Sequence, residues 1–150
     1  MEQRYRWSKL STLQLGRYAE YFVKMEFTLH GFDVYSAEVD DKGIDFVIRI
    51  RGSQYYDVQV KSVRQLNYIF LTKDTFLPSK NLLVAIVLFT DEEPPALSLI
   101  PSIVWLEPNA LFVGRDYIGK KSKPEWGLNL SRRNLSLLSK YAFENVIKTL

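Results

Sequence analysis

Asp45, Gln59 and Lys61 are the residues of this chain whose types and spacing suggest chemistry. Gln59 and Lys61 stand two apart in an alternating segment, so their side chains project from one face of a strand. Asp45 belongs to a second such segment, in which Ile44, Phe46, Ile48 and Ile50 face one way while Asp45, Val47 and Arg49 face the other. The apolar sides of both segments are expected to share the buried face, which sets Asp45 on the same side as Gln59 and Lys61. An acid, an amide and a lysine then converge, with Asp57 one step from Gln59 on the same strand face. Two acids on the preceding helical segment compete for an inward role. Glu20 lies on the flank of the apolar stripe, four residues after Gly16, whose missing side chain is expected to let the helix approach the sheet. Glu26 lies nearer the centre of the stripe.

What the chain lacks narrows the chemistry. It has no cysteine, which excludes a disulfide scaffold, a thiolate zinc site and a cysteine nucleophile. Its single histidine, His30, excludes a histidine-rich metal site, and any Ser-His-Asp triad would have to use this one imidazole. His30 reads better as a helix-end or packing residue.

These side chains need positioning elements, and the periodicity supplies them. Residues 13–30 carry Leu15, Ala19, Phe22, Val23 and Leu29 at helical spacing, with Ser11 and Thr12 as N-cap candidates and Gly31 as a stop. Residues 32–38 read as a short strand and Asp40-Asp41-Lys42-Gly43 as a turn. The two alternating segments, 44–50 and 55–63, form a hairpin through Arg51-Gly52-Ser53-Gln54. A two-residue Gly52-Ser53 turn would set Asp45 opposite Val60 and mismatch the polar faces. The alternation therefore predicts an odd-length loop or a bulge, with Gly52 as its natural place. Asp45 then lies opposite Gln59 or Lys61, with Cβ atoms about 4.5–5.5 Å apart.

Downstream, residues 68–71 read as a short strand and 74–77 as a short helical or irregular stretch ended by Pro78. Residues 82–89 are almost continuously apolar, the pattern of a central strand buried on both faces. The acidic turn Asp91-Glu92-Glu93-Pro94-Pro95, strands at 97–100 and 111–113, and a basic loop at 119–124 follow. Ser131 is placed to cap a helical region that breaks near Tyr141, and Trp105 and Trp126 read as core or interface aromatics. This order predicts one layer-packed α/β domain.

The 150 residues and 17.5 kDa suit one domain able to bury its own core. With 47% hydrophobic and 25% charged residues, a disordered chain is excluded. No apolar run is long enough to span a bilayer, and the first residues do not read as a secretory signal, so the cytoplasm is the expected compartment. The net charge of +3 permits an anionic partner without demanding one. The charge is uneven: residues 113–150 carry eight basic and three acidic groups, among them Lys120, Lys121, Lys123, Arg132 and Arg133.

Gly16-Arg17-Tyr18-Ala19-Glu20, then Gly43-Ile44-Asp45, then Gln59-Val60-Lys61, resembles the PD-(D/E)xK nuclease superfamily. The resemblance covers roughly residues 13–64 and is closest in kind to a branch holding some intron-encoded homing endonucleases. It implies a restriction-endonuclease-like fold, with a mixed central sheet flanked by helices, a catalytic core of about residues 13–90 and a basic part of about 113–150. It implies a site of Glu20, Asp45, Gln59 and Lys61, with Glu20, Asp45 and Gln59 as metal ligands. Thirteen residues separate Asp45 from Gln59, which suits a hairpin site. The implied metal is magnesium, with manganese as an alternative. The implied activity is hydrolysis of phosphodiester bonds in duplex DNA, of homing or restriction type, by a homodimer or homotetramer. Lys120, Lys121, Lys123, Arg132 and Arg133 would contact DNA phosphates.

Two positions depart from the family pattern. Ile44 replaces the proline of the name. Gln59 replaces the usual Asp or Glu and offers a metal only a neutral carbonyl oxygen, so affinity without DNA is expected to be low. The alternative is a catalytically inactive nucleic-acid-binding or complex-forming module on the same fold. Plainer readings stand beside each motif: Glu20 as the solvated partner of Lys24, Gln59 and Lys61 as the end of an ordinary strand, and the lysines of 120–123 as a solvated loop.

Overall fold

The computed structural model describes residues 4–39, 42–50, 52 and 54–150. Of the expected turns, Asp40, Asp41, Arg51 and Ser53 lie outside the described residues. The opening helix, α1 (Thr12–Leu29), starts at a capping box: the Ser11 hydroxyl accepts from the Gln14 amide and the Gln14 side chain accepts from the Ser11 amide. Its buried stripe is Leu15, Ala19, Val23 and Phe27. Leu29, expected on that stripe, is exposed, because four-residue steps from Leu15 lead to Phe27 instead. The helix ends at His30, whose ring Nδ1 lies 2.8 Å from the Glu26 carbonyl and whose ring meets Phe143 edge to face.

A five-stranded mixed sheet takes the order β1 (Asp33–Ser36), β2 (Phe46–Arg49), β3 (Tyr55–Arg64), β5 (Leu82–Phe89) and β6 (Ala96–Pro101). Only β3 and β5 run parallel among these neighbours. Alternation divides the strands between two cores. Phe46, Ile48, Tyr56, Val58, Leu83, Ala85 and Val87 pack with α1, while Val63, Leu82, Val84 and Ile86 pack the other way. As its unbroken apolar run predicts, β5 is buried on both faces.

The second core is closed by a second sheet, in which the expected strands at 68–71 and 111–113 are joined by a strand at 125–129 that the alternation does not mark. β4 (Tyr68–Thr72), β8 (Glu125–Asn129) and β7 (Phe112–Arg115) form an antiparallel sheet in the order β4-β8-β7. The chain reaches it from β3 through a corner where Gln65 takes φ 60°. Trp105, in a 3-10 turn over Ser102–Leu106, fills the space between the layers and donates its indole N–H to the Gly127 carbonyl. Residues 74–77 form no helix: the Thr72 carbonyl accepts from the Phe76 amide in a tight turn that buries Phe76. The Ser131 hydroxyl accepts from the Asn134 amide at the entry to α2 (Leu135–Leu138), and the helical region breaks at Ala142 before α3 (Phe143–Val146). No described helix is long and apolar enough to cross a membrane.

Gly16 does not serve the close approach expected of it. A methyl group added there would meet only the Ser62 hydroxyl, at 3.9 Å, which is ordinary contact. Gly16→Ala should therefore stabilise the fold by about 0.5–1 kcal/mol through helix propensity alone, as read by denaturant unfolding. A loss of stability would show that the helix sits tighter on β3 than this spacing allows.

Candidate functional site

The β2–β3 register decides what meets what. Phe46 pairs with Val58 and Arg49 with Tyr55, so five residues connect the two strands. The loop is odd in length, as the polar alternation requires, and Gly52 at its centre takes φ 71°. Continued one step, the register brings Asp45 beside Gln59. There β2 departs from a regular ladder. The Asp45 amide donates to the Val58 carbonyl, although Val58 is already paired with Phe46, so two residues of one strand face one of the other, as in a β-bulge. The carboxylate turns inward, and Asp45 Oδ2 accepts from the Val60 amide at 2.6 Å. It is thus pinned to the β3 backbone between Gln59 and Lys61.

Gln59 is held from the other side. Gly43, two residues before Asp45, takes φ 73°, and a methyl group there would lie 3.4 Å from the Gln59 amide nitrogen. The left-handed turn at Gly43 lets the loop pass over the amide without a side chain in the way. Asp57, farther along the same strand face, is half-buried, and that burial raises its carboxyl above the usual carboxylate range.

Glu20 is placed differently. It accepts from Lys24 at 2.9 Å and pairs with Arg17 at 3.4 Å. Lys24 in turn lies over the Phe46 ring, so the pair rests against the residue after Asp45 on the α1 side of the sheet. Among the described residues no three His, Cys, Asp or Glu side chains are grouped to hold a metal, and Glu20, Asp45 and Asp57 form no carboxylate cluster. The structure thus sets the Asp45 carboxylate against the β3 backbone between Gln59 and Lys61 and leaves Glu20 within its own helix pairs. The available donors, one carboxylate and one amide oxygen, suit a hard cation such as magnesium when waters and substrate phosphates complete the shell.

Residue spacing within the motifs alone does not mark the surface next to Lys61. A cleft of 430 Å3 joins Lys61 to Arg64, Asn67, Tyr68, Phe70 and Thr12, and among the described residues its lining holds no Asp or Glu. Arg64 is fixed by donating to the Leu10 carbonyl. The signal was the two-residue spacing of Tyr68 and Phe70 on one strand face, immediately beyond a strand that runs to Arg64. Asp91, in the acidic turn, lies near this end of β3. Hydrogen bonds from the Ser8 hydroxyl and amide, with a smaller contribution from Arg64, hold its carboxyl below the usual range.

The five basic residues expected to touch DNA are all exposed, yet they do not form one continuous run. Lys120, Lys121 and Lys123 precede β8 while Arg132 and Arg133 follow it, which separates the groups by on the order of 17 Å of strand. Lys123 also pairs with Asp74 at 3.2 Å.

No protein-family model matches the chain, and no curated protein matches it in sequence. Solved structures do match in shape. Hjc, a Holliday junction resolvase of the archaeal hyperthermophile Archaeoglobus fulgidus, superposes with a TM-score of 0.54 at 15% identity, over 89% of this chain and 95% of that one. A bacterial homing endonuclease superposes with a TM-score of 0.54 at 16% identity, over 93% of this chain and 94% of that one. The chain shares the mixed α/β fold of these two nucleases.

The raised pKa of Asp57 has a sign that can be checked. The folded state holds this proton more tightly than the unfolded state, so its contribution favours folding at acid pH and is lost as pH rises through the folded value. Asp57→Asn should raise the melting temperature at neutral pH, and the advantage should vanish once the pH falls below the ordinary carboxylate range. An advantage that persists at acid pH would mean that burial of this charge is not the cause.

Proposed function

We propose that this chain is a magnesium-dependent endonuclease that hydrolyses phosphodiester bonds in duplex DNA, of the site-specific homing or restriction type. The observation that supports this most is the Asp45 carboxylate, bonded to the Val60 amide and flanked by Gln59 and Lys61. The fold shared with a junction resolvase and a homing endonuclease points the same way. Asp45 and the Gln59 carbonyl oxygen hold the ion in this reading, and Glu20 adds negative charge directly or through water. The ion, when bound, supplies polarisation of the phosphate and a more acidic water. Lys61 orients the attacking water or offsets charge that develops on the phosphate. Lys120, Lys121, Lys123, Arg132 and Arg133 contact backbone phosphates and set the register on DNA without reading sequence. One such site cuts one strand, so duplex cleavage calls for a homodimer or homotetramer with paired sites.

A second reading, a DNA-binding module without catalysis, is favoured by one observation: Arg17 and Lys24 already occupy Glu20. Incubation with duplex and branched DNA across a magnesium series separates the two. Asp45→Ala and Lys61→Ala should each lower cleavage by at least about 100-fold. Asp45→Ala should leave DNA binding in chelator intact. Binding with no nicking of any substrate would overturn the nuclease reading in favour of the module.

Glu20→Gln tests the remaining ligand. Cleavage should need several-fold more magnesium for half-maximal rate, while stability falls by no more than about 1 kcal/mol, the worth of its two helix pairs with Arg17 and Lys24. An unchanged magnesium requirement would remove Glu20 from the site.

A further inference from the structure

We infer that the cleft beside Lys61 seats one unpaired base on Phe70, so that the preferred DNA carries a single-stranded base next to the phosphodiester that is cut. The link to cutting rests on the nuclease reading above; the base seat itself stands on the surface.

Phe70 is 55% exposed on the outer face of β4, a large apolar cost for a sheet surface. Tyr68, its neighbour on that face, is fully engaged. Its ring lies across Gly127, where any added Cβ would collide with it. The Arg115 guanidinium covers the ring at 4.4 Å, and the hydroxyl donates to Glu125. Burial, and then the bond to Glu125, push the phenol well above its usual pKa, so it remains a neutral donor. Tyr68 is therefore a fixed wall. The Phe70 ring makes no aromatic or cation contact among the described residues and is left to stack.

Three properties of the cleft choose the occupant. Its volume, 430 Å3, falls within the range of small-ligand sites. Among the described residues its lining carries two cations, Lys61 and Arg64, and no carboxylate, which favours an anionic ligand. It runs from Lys61, where the nuclease reading sets the scissile phosphate, to an exposed aromatic face. A nucleotide has this charge and this flat base, but a paired base inside a duplex keeps its faces stacked and cannot reach Phe70. Base stacking on aromatics is tolerant of sequence, so the site selects for an unpaired state and not for a particular base.

The test uses the full chain in chelator, so that nothing is cut. One probe is a duplex with a gap and the fluorescent base aminopurine opposite it; the other is the same sequence fully paired. Binding of the gapped probe should quench aminopurine. Phe70→Ala should abolish the quenching and weaken the gapped probe about tenfold, while the paired probe changes by less than about twofold. Phe70→Trp should restore both signals. The inference is overturned if aminopurine stays bright in the complex, if the gapped probe is not bound, or if Phe70→Ala weakens both probes alike or neither. The magnesium-dependent cleavage series on Lys61→Ala reads the nuclease function separately. Loss of cleavage there without stacking removes the base seat alone, and stacking without any nicking removes the nuclease alone.

Discussion

The hydrogen bond from the Val60 amide to the Asp45 carboxylate is the interaction on which the candidate site depends. Strand alternation alone gives Asp45 a side of the sheet; this bond gives it a position. It forms because β2 begins one residue after Asp45, where the bulge leaves a β3 backbone donor without a ladder partner, and a carboxylate fills that place. A charge-assisted bond to main chain is short and directional, so the acid is held against the β3 backbone. Gly43 then carries the loop over Gln59, and Lys61 follows two residues on. The site is thus built from the margin where two strands stop pairing.

That margin sits between two cores. The α1 layer and the β4-β8-β7 layer cover opposite faces of the first sheet, and β5 is buried between them. The edge of the sandwich near Lys61 is left open, with cations lining it. A shared fold at 15–16% identity carries this framework and not its chemistry, which belongs to the side chains placed on it.

The sequence was most legible where one physical rule acted alone. Ser11 and Gln14 mark a helix start by local hydrogen bonding, and residues 82–89 announce a doubly buried strand by composition. The odd loop follows from matching the polar faces of its two strands. It was least legible where tertiary packing overrides local pattern. β8 passed unseen because Glu125, Trp126 and Gly127 alternate poorly: Glu125 is an acid that becomes buried by accepting from Tyr68, and Gly127 is bare because the Tyr68 ring lies over it. Both residues answer to a partner more than fifty positions away, which no window reveals. Missing β8 also merged the two basic groups that it holds apart. Glu20 shows the opposite limit. Its place in a motif suggested the site, while its i,i+4 spacing to Lys24 already described the pairing that the structure contains.

The β4–β8 pairing carries a consequence for the making of the protein. β4 has no strand partner in its own half of the chain, because residues 125–129 are synthesised long after residues 68–72. During translation the nascent segment 68–72 presents Tyr68, Ile69, Phe70 and Leu71 with unpaired backbone groups. Closure of the second layer has to await the arrival of β8. This late, long-loop step is the natural bottleneck of folding, and the stretch around Phe70 is where a stalled or truncated chain would expose an adhesive edge.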